Sequence, residues 1–139
     1  MNSAFCVAVC ALLCLYRRRE RLSSEELARS VCTNPAQVRK VMAGLRKAGL
    51  VEAREGSEGG YRFSGDPAAV TLDRVARAVD VRFVAARWRG GLDRPCLEAS
   101  GMGGVMDGLL DELDGRCCNY LSTISLAEMD RRLAVSGGR

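Results

Sequence analysis

Seven cysteines are the residues best suited to covalent or metal chemistry in this chain, and their spacing limits what they can do. Cys6, Cys10 and Cys14 recur every four residues, which puts them on one helix face. Cysteine is also a small, commonly buried apolar residue, and the apolar surroundings of these three favour that role. Cys32 falls in a short turn, and Cys117 and Cys118 are adjacent. Cys96 stands near Arg94, whose charge favours the thiolate, so it is the candidate redox thiol. The alternative for Cys6, Cys10 and Cys14 is a thiol or metal site completed by a partner chain, since residues four apart on a helix can share a ligand. Histidine is absent altogether. That excludes Ser-His-Asp and Cys-His nucleophiles, Cys/His zinc fingers and the usual general base at neutral pH. Gly101-Met102-Gly103-Gly104 does not follow a predicted strand, as a cofactor-binding glycine loop would. The chain is therefore not expected to be an enzyme.

The cationic side chains are the other source of chemistry, and they are unevenly placed. Residues 1–64 hold eleven Arg and Lys against six Asp and Glu, whereas residues 65–139 hold ten against eleven. The first half suits a polyanion and the second does not. Hydrophobic residues make up 47% and charged residues 27%, a globular composition, and aromatics at 5% leave an aliphatic core. The apolar run at 4–15 is shorter than the roughly 20 residues a membrane helix needs. Its positive charge follows the run instead of preceding it, unlike a signal peptide. With an odd number of cysteines and no disulfide framework, a cytoplasmic protein without a membrane partner is expected.

Local signals place these side chains on elements. Phe5, Val9, Leu12, Leu13 and Tyr16 share helical spacing, with Arg17, Arg18 and Arg19 at the end where cations favour the helix dipole. Ser23 and Glu26 have capping-box spacing for a second helix with Leu27 and Val31 inward. Asn34, Pro35 and Gln37 start a third, whose apolar stripe is Val38, Val41, Met42 and Leu45 and whose stop is Gly49. Residues 50–54 and 60–64 read as two strands around a polar turn. Thr71 caps a helix to about Val79, residues 87–104 read as loop, and an amphipathic helix follows, with apolar residues from Met102 to Leu121. Ser125 caps a last helix through Leu133. The expected fold is mainly α with a small β-hairpin wing: a winged helix-turn-helix plus a long C-terminal helix. Its divisions are 1–80, a DNA-binding domain; 81–104, a loop or sensor region; and 105–139, the long helix and tail.

In such a fold the helix from Pro35 to Ala48 would enter a DNA groove. Gln37 can make paired hydrogen bonds to adenine, and Arg39 or Lys40 can reach guanine or phosphate. Thr33 and Asn34, at the positive end of the helix dipole, suit phosphate, and Arg54 and Arg62 flank the wing. Ser24, Lys47 and Tyr61 complete the candidate DNA-binding set. Glu55 and Glu58 put negative charge on the wing tip. The alternative is a winged helix that binds protein and not DNA.

Five blocks carry a family resemblance: Ser24-Glu25-Glu26-Leu27-Ala28, Thr33-Asn34-Pro35, Leu45-Arg46-Lys47-Ala48-Gly49-Leu50-Val51, Gly59-Gly60-Tyr61-Arg62 and Thr71-Leu72. Together they resemble the Rrf-two (Rrf2) family of bacterial winged-helix regulators, which includes iron–sulfur-cluster and nitric-oxide sensors. The resemblance implies a homodimer joined through the long helix, acting on a palindromic operator in double-stranded DNA. A repressor responding to a redox or small-molecule signal is expected. Where the family tends to carry a Gly-Pro-Gly-Gly-Gly wing turn, this chain has Gly56-Ser57-Glu58-Gly59-Gly60. Many relatives hold an iron–sulfur cluster on three closely spaced cysteines before the long helix, and some add a first-helix carboxylate. Here that loop has only Cys96, and no Asp or Glu precedes Glu20. No cofactor is expected, and the family-type cluster is disfavoured.

Overall fold

Helix α1 (Ser3–Arg18) is the hub of the molecule, and its composition explains why. A run of aliphatic residues and small cysteines lets it bury side chains almost all round: Ala8, Ala11, Leu12 and Leu15 are sealed, and Val7, Val9 and Leu13 nearly so. Around it pack α2 (Ser24–Ser30), α3 (Pro35–Lys47), α4 (Leu72–Ala78), α6 (Leu126–Gly137) and the hairpin of β1 (Val51–Arg54) and β2 (Gly60–Phe63). The long helix α5 (Leu97–Leu121) joins α4 to α6 in sequence order. The computed structural model describes residues 3–84 and 97–137. Cys96 and half of the expected loop or sensor region, residues 85–96, lie outside the described residues. No helix among them is long and apolar enough to cross a membrane.

The helix starts follow local chemistry. Ser23 Oγ accepts from the Glu26 amide at 3.1 Å, and Asn34 Oδ1 accepts from the Gln37 amide at 2.8 Å with Pro35 next in line. Ser125 Oγ does the same for the Glu128 amide at 3.1 Å. Each cap satisfies a backbone donor that has no partner inside its own helix. Thr71 differs: it occupies the position before α4, but its hydroxyl donates to the Asp73 carboxylate and caps no amide. The α2–α3 turn is closed by the Thr33 amide donating to the Ala28 carbonyl, with Cys32 in the left-handed region at φ 56°.

Strands β1 and β2 pair antiparallel in the register Val51 with Phe63, Glu52 with Arg62, Ala53 with Tyr61 and Arg54 with Gly60. The wing is docked by Leu22 and Tyr61, each donating its amide to the other's carbonyl at 2.9 and 2.7 Å. At Gly60, φ is +137°, and a Cβ would lie 2.4 Å from the Leu22 carbonyl oxygen. Only glycine permits this approach.

The second half is tied back onto the first. Leu72 donates to the Ile124 carbonyl and Leu126 to the Val70 carbonyl, both at 2.9 Å, so α6 begins beside α4 with Ile124 and Leu126 buried. Arg17 Nε meets Asp130 Oδ1 at 2.6 Å, linking α1 to α6. Helix α5 is held by Asp114, whose carboxylate accepts from the Phe83 and Val84 amides at 2.7 and 3.0 Å. It begins at Leu97, so residues 97–104, expected as loop, are helical. Helix α6 runs four residues past the expected Leu133.

Candidate nucleic-acid interface

Four α3 residues, Val38, Val41, Met42 and Leu45, face the core and fix the helix's rotation. At 100° per residue the outward arc then runs from Arg39 and Arg46 on one flank through Ala43 and Lys47 to Lys40. All five are exposed. The Arg39 flank faces the wing. A cleft of about 430 Å³ lies there, lined by Ser24, Arg39, Arg46, Arg54 and Tyr61 among others. The structure therefore brings together four expected residues: Ser24, Arg39, Arg54 and Tyr61. Thr33 and Asn34 sit at the start of α3, the latter exposed and engaged as a cap, and Gln37 is half-buried. Lys40 and Lys47 lie on the open arc outside the cleft, and Arg62 projects from β2 away from it. Arg46 was missing from the expected set. Its signal was available, since it follows Arg39 by seven residues and Ala43 by three.

This face gathers cations that no described carboxylate neutralises. Arg39, Lys40, Arg46, Lys47, Arg54 and Arg62 make no ion pair with a described carboxylate. Elsewhere, Arg77 pairs with Asp73, Arg82 with Asp111, Arg116 with Glu112, and Arg131 and Arg132 with Glu128. Unpaired guanidinium and ammonium groups on one convex helix and a neighbouring hairpin form a surface that a polyanion neutralises. The wing-tip carboxylates of Glu55 and Glu58 are exposed but reach none of these cations.

None of the described cysteines lines the α3–wing cleft. Cys10, Cys14 and Cys32 line an apolar cleft of about 650 Å³ between α1 and α6, with Leu13 and Met129. Desolvation raises the Cys10 thiol above its ordinary value and neighbouring Cys6 adds to the rise, so Cys10 is protonated at neutral pH. Desolvation, then Asp114, raises Cys118 likewise. Among the described residues no three Cys, Asp or Glu side chains converge as a metal-ligand group.

A family model described as an iron-dependent transcriptional regulator, Rrf2, matches residues 1–132. The chain belongs to the Rrf2 family. Rrf2 proteins are regulators of transcription and not enzymes. YwgB of Bacillus subtilis, which carries the name of an HTH-type transcriptional regulator, is 30% identical over 134 residues, covering 94% of this chain and 85% of YwgB. YwnA of the same organism, similarly named, is 40% identical over 79 residues, 57% of this chain and 58% of YwnA. The match therefore spans under two thirds of YwnA. A solved Lactobacillus plantarum protein, described as a transcriptional regulator, superposes with a TM-score of 0.82 at 22% identity over 96% of this chain and 91% of its own. That likeness establishes the winged-helix fold.

Proposed function

We propose that this Rrf2 protein is a cytoplasmic repressor that binds a palindromic operator as a homodimer, inserting α3 into the major groove and laying the wing on the adjacent backbone. The observation that carries the reading is the set of six cations on α3 and the wing with no carboxylate partner among the described residues. Lys and Arg that contact phosphate release condensed counterions, so each such contact steepens the salt dependence of binding. A dimer would set two α3 helices about 34 Å apart, one turn of duplex.

The experiment is a gel shift on the protein's own upstream DNA over a salt series. Arg39→Ala with Lys40→Ala is expected to weaken binding about 10- to 100-fold and to flatten the salt slope by roughly 2, leaving the oligomeric state unchanged. Equal affinity for the double variant and the wild type at moderate salt would remove α3 from the interface. Binding that is absent even at low salt would favour a protein partner.

The same reading dispenses with a family-type iron–sulfur cluster. Such clusters need several thiolates together, whereas this chain supplies one cysteine between α4 and α5, Cys96, and the next two inside α5. Anaerobically purified protein is expected to be colourless, with no iron or acid-labile sulfide, and still to shift DNA. A brown protein whose absorbance survives Cys96→Ser would show that other thiols assemble a cluster.

A further inference from the structure

The C-terminal end of α1 and the wing enclose another cleft, of about 650 Å³, distinct from the α3–wing cleft except that Arg54 stands at the rim of both. Its wall is aromatic: Tyr16 and Phe63 meet edge to face, with ring centroids 6.0 Å apart. Its rim is cationic, formed by Arg19, Arg21, Arg54 and Arg62. Each arginine arrives by a different route. Arg19 leaves α1 in the left-handed region at φ 52°, and its guanidinium lies 5.8 Å from the Tyr16 ring centre. Arg21 Nη1 donates to the Gly60 carbonyl at 3.2 Å, which fixes it against the base of the wing. Arg54 and Arg62 come from the two strands.

Nothing in the cleft neutralises them. Glu20 is the one carboxylate in the wall, and it is already engaged by Arg18 Nη2 at 2.9 Å. Glu52 faces Arg62 across the hairpin but forms no ion pair with it. Four guanidinium groups gathered without a carboxylate of their own repel one another, and a multiply charged oxyanion relieves that repulsion. The planar guanidinium fork matches phosphate oxygens two at a time, and the rings add a surface on which a base can stack.

The geometry points to a second phosphate site in this cleft, used in addition to the α3 face. Where the phosphates are those of duplex DNA flanking the operator, the site rests on the DNA-binding reading above. A free phosphorylated small molecule offers the same oxyanion chemistry, and the test separates the two sources. The variant is Arg19→Gln with Arg21→Gln. Arg29→Gln, exposed on α2 and in neither cleft, is the control. Arg19→Lys with Arg21→Lys keeps the charge, and thermal melts of all variants confirm folding.

In one arm, affinity is measured on duplexes of the upstream region lengthened stepwise beyond the operator. In the other, pyrophosphate is titrated calorimetrically into DNA-free protein. If backbone phosphates occupy the cleft, the wild type tightens as the flanks grow. The Gln variant then loses about tenfold on long duplexes alone, with a salt slope shallower by roughly 2, and the Lys variant retains most of the gain. If a free phosphorylated ligand occupies it, pyrophosphate binds the wild type one per chain, the Gln variant loses this, and long-duplex affinity is unchanged. A folded Gln variant that matches the wild type and Arg29→Gln in both arms overturns the site. Wild-type protein that takes pyrophosphate but shifts no DNA overturns the operator reading and leaves this site standing.

Discussion

Gly44→Ala is expected to destabilise the protein by about 2 kcal/mol, the reverse of what the same change does in an open helix. An exposed helical glycine replaced by alanine gains roughly 1 kcal/mol, because the backbone loses less freedom on folding. At Gly44 the new Cβ would stand 2.3 Å from the Ala78 carbonyl oxygen, 3.2 Å from its carbon and 3.5 Å from the Val79 Cα. All three are backbone atoms at the end of α4, so no rotamer change relieves the contact. Ordinary separation returns only if α3 and α4 part by about 1 Å. Overpacking of this kind costs typically 1–3 kcal/mol and occasionally more, enough to reverse the propensity gain. A melting temperature lower by roughly 5–10 °C is expected. Gly108→Ala and Gly115→Ala in α5, where a Cβ would meet nothing within 4 Å, should each hold or raise it. A Gly44→Ala protein as stable as those two would mean that α4 does not seat the back of α3 as described. Because α4 also carries the bridge to α6, the strain would pass to the arrangement of α3 relative to the second half of the chain.

The fold was legible in the sequence wherever its cause is local. A cap involves residues three apart, so Ser23, Asn34 and Ser125 could be assigned from spacing, and each makes its bond. The α3 stripe was legible for the same reason, as were the two strands around their polar turn. Thr71 shows the limit: its position before α4 was readable, but a carboxylate two residues on takes its hydroxyl. The start of α5 is not legible locally, because Gly101, Gly103 and Gly104 favour a loop over a helix. Each costs only about 1 kcal/mol in a helix, and no neighbour crowds Gly101 or Gly104. Long-range terms left no local trace. Arg17 meets Asp130 across 113 residues, and nothing near either one announces it. The candidate interface was half legible. The cations of α3 followed from periodicity, but the pairing of Arg46 with the wing cleft, and the joining of Arg19 and Arg21 to Arg54 and Arg62, required the hairpin's docking on Leu22.

Leu109→Asp with Leu113→Asp is expected to have the largest effect on DNA binding of any change away from the cations themselves. Met102, Val105, Leu109, Leu113 and Tyr120 recur at three-, four- and seven-residue steps along α5, and they are 48%, 65%, 47%, 42% and 62% exposed in the single chain. They span roughly 27 Å of helix at 1.5 Å per residue. Such an apolar stripe suits a protein contact, and in the proposed homodimer a two-fold copy of the same helix would cover it with like residues. Two aspartates per chain would place four carboxylates in that seam, desolvated and mutually repelling. Sedimentation should then find monomer at micromolar concentration. Affinity for the whole operator should fall more than 100-fold, because the second half-site no longer binds as an intramolecular event. Affinity for a single half-site should be unchanged, since α3 and the wing lie on other elements, and the melt should still show a folded protein. Val135→Asp on α6, at a residue 79% exposed and off the stripe, is the control that should leave the dimer alone. A variant that stays dimeric would move the interface off α5. One that turns monomeric yet keeps full affinity for the operator would mean that each chain reads its site independently, so that the palindrome and the one-turn spacing of the two α3 helices would both have to be given up.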